Sequence, residues 1–213
     1  MPKEPTKTPR KRGRPEMTAS QKARMKKNIS KTAQALFQDE GYAKVSMRKI
    51  AKEIGCTPMS LYRYYDSKID ILRSLWSDVL ADLFSALETL PSSEEAHHRL
   101  RNLGVGYVTY WIDKPEHYRL VFMAEGVTQP HVSLFVDNPD IIAKYDIFLD
   151  AIQSLDGAGI PSEATKHKLD FFLSTLHGIA QNHITISGYP WSAPEKQIEY
   201  AVRALSGNSP EDL

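Results

Sequence analysis

Residues 45 to 68, VSMRKIAKEIGCTPMSLYRYYDSK, constrain the chain more than any other stretch. Met47, Ile50, Ala51 and Ile54 recur at i, i+3, i+4 and i+7, which lays one apolar stripe along a short helix. Gly55 stops that helix and a second starts almost at once, because Thr57 can cap its first amides and Pro58 suits a first turn that needs no N–H. The second helix is about two turns long and sends Leu61 inward, leaving Ser60, Tyr62, Arg63 and Tyr64 for other faces. Two short helices joined by a tight glycine-containing turn form a helix-turn-helix, whose second helix lies in the major groove of DNA.

The charge distribution points the same way. Residues 1–63 hold 16 Lys+Arg against 5 Asp+Glu, whereas residues 64–213 hold 11 against 21, so the net charge of +1 conceals a basic end and an acidic remainder. A basic end is the electrostatic footprint of a polyanion partner, and the acidic part is expected to stay clear of that polyanion.

With 213 residues, 41% of them apolar, the chain can build one large or two small domains. No apolar run approaches the ~18 residues that span a bilayer, and the polar, proline-rich start lacks the apolar core of a signal peptide. A cytoplasmic protein without a membrane partner is expected. The single cysteine, Cys56, leaves no intrachain disulfide to form and reads as a small buried residue of the turn. The 7 histidines include no i, i+4 pair, so no metal is expected. Without a glycine-rich phosphate loop, a nucleophile elbow or a candidate acid-base pair, neither a cofactor nor an enzymatic activity is expected.

Residues 1–17 carry four prolines and almost no apolar side chains, and are expected to form a disordered arm. Within it, Lys11-Arg12-Gly13-Arg14-Pro15 resembles the core of an AT-hook, in which glycine admits the backbone to a narrow A·T minor groove and Arg12 and Arg14 meet its negative potential. A basic arm that touches only phosphates is the other reading. A first helix from about Ser20 to Glu40, with Met25, Ile29, Ala33, Leu36 and Phe37 on one face, completes a three-helix DNA-binding unit over residues 18–66.

Residues 67–206 read as helix after helix. The first opens at Asp66 or Ser67 with a Ser-x-x-Asp box to Asp70 and runs to about Leu90. Others are expected over 94–113, 115–125, from Asn138 to the glycines at 157 and 159, over 162–186, and after a start capped by Ser192 and Glu195. A loop over 126–138 and a disordered tail over 207–213 complete an all-α chain of about nine helices.

The spacing of Ile50-Ala51, Gly55, Leu61-Tyr62 and Lys68 resembles the DNA-binding domain of the tetracycline-repressor (TetR) family over roughly residues 20–75. Leu176-His177-Gly178-Ile179-Ala180 is similar to the Trp-His-Gly-type C-terminal domain of one branch of that family, with Leu176 where that branch has Trp. The resemblance implies a bacterial homodimeric transcription regulator, usually a repressor, released from a palindromic operator by a small, largely apolar molecule. It also implies roles for residues. Ser46 and Arg48 would meet phosphate or base, Pro58, Met59 and Ser60 base edges, Tyr62, Tyr64 and Lys68 phosphates, and Arg63 a guanine or a phosphate.

An effector pocket in such a regulatory domain would draw its lining from Trp76, Tyr107, Tyr110, Trp111, Tyr118, Phe122, Phe172 and His177, an inventory suited to a flat, apolar molecule. The same rings are also what a helical bundle needs for its core. The last two helices are the expected dimer surface, with Leu173, Leu176, Ile184, Ile198, Val202 and Leu205 supplying apolar area. The competing reading is an architectural or protein-partner-controlled DNA-binding protein with no small-molecule effector.

Overall fold

The computed structural model describes residues 17–91, 95–127, 138–157 and 162–207. The arm bearing Arg12 and Arg14, most of the expected loop over 126–138, and residues 208–213 lie outside the described residues. Among the described residues every regular element is helical, and no helix is long and apolar enough to cross a membrane.

Helix α1 spans Ala19–Glu40. It begins with a reciprocal capping box that the sequence reading passed over: the Thr18 hydroxyl accepts from the Gln21 amide, and the Gln21 side chain accepts from the Thr18 amide. One 3₁₀ turn, Tyr42–Lys44, leads to α2, Met47–Ile54, capped by the Ser46 hydroxyl, which accepts from the Lys49 amide. Gly55 ends α2 at φ 76 and ψ 30, the left-handed region in which a side chain is strained, and the Cys56 amide closes back on the Ala51 carbonyl. Helix α3 is Pro58–Tyr62, with Thr57 as its cap.

Helix α4, Lys68–Glu88, packs against α1 on one side and against α5, Ala96–Asp113, and α6, Pro115–Phe122, on the other. Ser67 starts α4 without the expected capping box. Its hydroxyl donates to the Asp70 carboxylate and accepts nothing from the backbone. The helix expected from Asn138 to Gly157 is two helices, α7 (Pro139–Lys144) and α8 (Asp146–Leu155). The break falls at Tyr145. The Tyr145 amide tightens onto the Ile142 carbonyl, and the Tyr145 ring turns onto Phe84 at a centroid distance of 4.8 Å. Helix α9 is Glu163–Thr185 and α10 is Pro194–Leu205. The cap expected of Ser192 and Glu195 is not made, because Ala193 holds the cap position and the Ser192 carbonyl accepts from the Gln197 side chain.

Helix α5 is the hub of the C-terminal half, in contact with α4, α6, α8, α9 and α10. One of its two mid-helix glycines, Gly104, has a steric reason tied to α9 and α10. A Cβ at Gly104 would lie 2.9 Å from Ile198 Cγ2 and 3.0 Å from Phe172 Cζ, so glycine lets α9 and α10 close on α5. That closure settles the fate of the C-terminal apolar stripe. Leu176, Ile198 and Val202 are fully buried and Leu205 nearly so within their own chain, which corrects the expectation that they face a partner. The outward apolar side chains of the last two helices are Phe171, 50% exposed, and Tyr200, 48% exposed.

Candidate nucleic-acid interface and aromatic core

The helix-turn-helix presents its second helix through one buried anchor. Leu61 is fully buried among Ile50, Ala51 and the rest of the core, and this fixes which side of α3 faces outward. The outward side carries Met59, 76% exposed, and Tyr62, 48% exposed. Arg48 and Arg63 are exposed beside it, and α1 adds exposed Lys22, Lys26, Lys27 and Lys31.

Several expected contact residues already have bonds within the protein. The Ser60 hydroxyl lies 3.0 Å from Thr57 Oγ1, the Ser46 hydroxyl caps α2, and the Tyr64 hydroxyl donates to Met17 Sδ at 3.1 Å. Lys68 departs furthest from its expected place. Its ammonium donates to the Tyr42 carbonyl at 2.7 Å and sits 4.0 Å above the Tyr42 ring, and partial burial holds its pKa below that of an exposed lysine.

Behind this surface, Tyr65 ties the recognition unit to its connector. Its hydroxyl lies 2.9 Å from the Ser30 hydroxyl on α1 and donates to Ser74 Oγ on α4 at 3.3 Å. The Tyr-Tyr-Asp pattern of residues 64–66 gives no sign of which hydroxyl turns inward.

In the regulatory half, Tyr107, Trp111, Tyr118, Phe122 and His177 form one ring cluster between α5, α6 and α9. Phe148 extends it toward Phe172, a role that its helical spacing alone could not distinguish from ordinary core. Phe122 is 36% exposed, while Tyr107 and Trp111 are fully buried. The Tyr107 hydroxyl and His177 Nε2 are 2.8 Å apart. Burial pushes the His177 pKa down to about 4 and the Tyr107 pKa well up, so both are neutral near pH 7. Tyr145, beside Tyr107, is pushed up to about 12, again by burial.

Two expected pocket residues take structural roles at the edge of this cluster. The Trp76 indole donates to the Leu120 carbonyl at 2.8 Å and so ties α4 to α6. The Tyr110 hydroxyl bonds the Val79 carbonyl and Asp82, and Lys114 reaches the same carboxylate at 2.6 Å. Helix α6 also meets the DNA-binding unit. A cleft of about 340 Å³ separates them, lined by Phe37 and Tyr42 on one side and by Arg119, Leu120 and Met123 on the other. Among the described residues no group of His, Cys, Asp or Glu could hold a metal ion.

Residues 29–75 match the profile described as bacterial regulatory proteins, tetR family. An HTH-type transcriptional regulator of Staphylococcus aureus strain USA300 is 23% identical over 171 residues, covering 77% of this chain and 87% of that protein. The HTH-type transcriptional activator FasR of Mycolicibacterium smegmatis is 26% identical over 102 residues, 47% of each chain. Among solved structures, a tetR-family regulator from Rhodococcus RHA1 superposes with a TM-score of 0.60 at 18% identity, over 84% of this chain and 96% of the other. One from Streptomyces coelicolor does so with a TM-score of 0.62 at 16% identity, over 90% and 81%. At these identities the solved structures establish the likeness of fold.

Proposed function

We propose, from the premise that this chain belongs to the tetR family of bacterial regulatory proteins, that it is a homodimeric repressor released from a palindromic operator by a small, largely apolar effector. It is a DNA-binding transcriptional regulator and not an enzyme. The observation that carries the reading is the recognition helix Pro58–Tyr62, anchored by Leu61 and surrounded by exposed basic side chains, with Met59 outward. Met59, Pro58 and Ser60 are the base-edge side, and Arg48, Arg63, Tyr62, Tyr64 and the arm with Arg12 and Arg14 hold the backbone and the minor groove. Ser46 caps the helix that carries Arg48, and Lys68 ties the start of α4 to the Tyr42 carbonyl. The protein works in the cytoplasm, where its operator is.

The partner in the dimer is a second copy, met through the outward faces of α9 and α10. Phe171 and Tyr200 supply apolar area there, and a Cβ at Gly178 would meet nothing within 4 Å, which leaves room for close approach of another helix. The effector enters the ring cluster. Tyr118 and Phe122 stand on α6, the same helix that faces Phe37 and Tyr42 of the DNA-binding unit, so a ligand that displaces α6 moves that unit.

Salt dependence separates the contact types. Arg48→Ala is expected to weaken binding to all DNA and to reduce the slope of log K against log salt by about 1, the signature of one lost phosphate contact. Met59→Ala leaves that slope unchanged and alters preference among operator variants. Equal slopes for both variants and the wild type, with no change of preference, would remove the recognition helix from the interface.

A further inference from the structure

The Trp111 indole nitrogen is fully buried and has no hydrogen-bond partner. The Tyr107 hydroxyl stands near it without completing a hydrogen bond, being bonded instead to His177 Nε2 at 2.8 Å. A buried donor without a partner is unfavourable, so an acceptor brought to it binds with that penalty recovered. Its surroundings restrict what the acceptor can belong to. Tyr107, Tyr118, Phe122 and His177 are ring neighbours of one another or of Trp111, and none of them is charged near pH 7. A carboxylate or an ammonium placed there would be stripped of water with no counter-charge.

The rings also set shape and entry. Phe122 is the last residue of α6 and the exposed member of the cluster, with its centroid 4.7 Å from that of His177 and 5.2 Å from that of Trp111. A flat guest that takes the place of the Phe122 ring keeps its edge-to-face contacts with His177 and Trp111 and its tilted contact with Tyr118.

We propose that the aromatic core takes an uncharged, flat effector bearing a hydrogen-bond-accepting oxygen, such as a conjugated ketone or ester, and that the Trp111 indole N–H reads that oxygen. This rests on the reading of the chain as an effector-responsive regulator and adds the chemical class of the effector.

The test uses the full-length protein and three probes of equal ring size: 2-acetylnaphthalene, 2-ethylnaphthalene and 2-naphthoate, followed by equilibrium dialysis and by operator release in a gel shift. The ketone is expected to bind the wild type about tenfold more tightly than the hydrocarbon, with the carboxylate weakest. Trp111→Phe keeps a flat ring and is expected to lower ketone affinity about tenfold while leaving the hydrocarbon unchanged. The wild-type ratio of ketone to hydrocarbon stands whether or not the variant folds. Equal affinity for those two probes, a preference for the carboxylate, or binding of none of the three overturns the proposal. Release by a charged compound from a wider panel, with the ketone inert, does the same while leaving the regulator reading intact. Failure of every compound to release the operator strikes that reading itself.

Discussion

Truncating Leu61 to alanine is expected to abolish specific operator binding while leaving the C-terminal half folded. Leu61 is fully buried and is the only buried residue of α3, which has five residues. So short a helix has no stability of its own in water, and tertiary packing through this one side chain holds it in place. Removing a buried leucine side chain destabilises by about 2–5 kcal/mol, and here the loss falls on the anchor that presents Met59 and Tyr62. Operator affinity measured by gel shift should fall to the level of non-specific DNA. Near-UV circular dichroism, which reports the rings around Trp111, should change little. A Leu61→Ala protein that binds its operator as the wild type does would show that α3 is not what reads DNA.

Stability of the regulatory half should fall steeply as pH drops from about 6.5 to about 4. His177 carries the largest single contribution, because burial lowers its pKa from 6.5 to about 4. The unfolded chain then binds a proton that the folded chain refuses over this window. The stabilisation from a neutral His177 is therefore fully present above the unfolded value and is lost as pH falls toward the folded one. At about 1.4 kcal/mol per unit the contribution is about 3 kcal/mol. His177→Gln keeps a hydrogen-bonding partner for the Tyr107 hydroxyl and has no proton to take up. Urea unfolding across the window should show a wild-type midpoint that falls with acid more steeply than the variant's. Parallel pH profiles would place the acid sensitivity elsewhere.

How far the sequence discloses this molecule depends on whether a feature is local. Gly55, Thr57 and Pro58 end one helix and begin the next through their own backbone chemistry, and residues 47–62 fold as their spacing says. The division at Tyr145 was not legible, because Ile142, Tyr145, Phe148, Leu149 and Ile152 keep one helical period across it and the cause is a contact with Phe84 on a distant helix. Nor could the stripe of Leu176, Ile198 and Val202 tell a partner from the same chain. Periodicity identifies a buried face but not what buries it, and here Gly104 brings α5 close enough to do so.

The candidate site divides the same way. Met59, Tyr62, Arg48 and Arg63 stand outward on the elements where the spacing placed them. Lys68 is drawn to the Tyr42 carbonyl, a bond between residues 26 apart in the chain that charge counting cannot anticipate. The aromatic inventory included Tyr107, Trp111, Tyr118, Phe122 and His177, yet only the assembled helices make one cluster of them and turn Trp76 and Tyr110 to structural bonds. The unpartnered Trp111 nitrogen is wholly a tertiary fact.

Operator recognition and its release by an effector are read together by a nuclease footprint of the purified full-length protein on DNA from beside its own gene, repeated across a panel of apolar and aromatic compounds. Two protected half-sites related by a palindrome, centred about one helical turn or roughly 34–36 Å apart and lost together with one class of compound, are the expected result. A diffuse, A·T-biased protection that no compound disturbs would contradict it and favour an architectural DNA-binding protein.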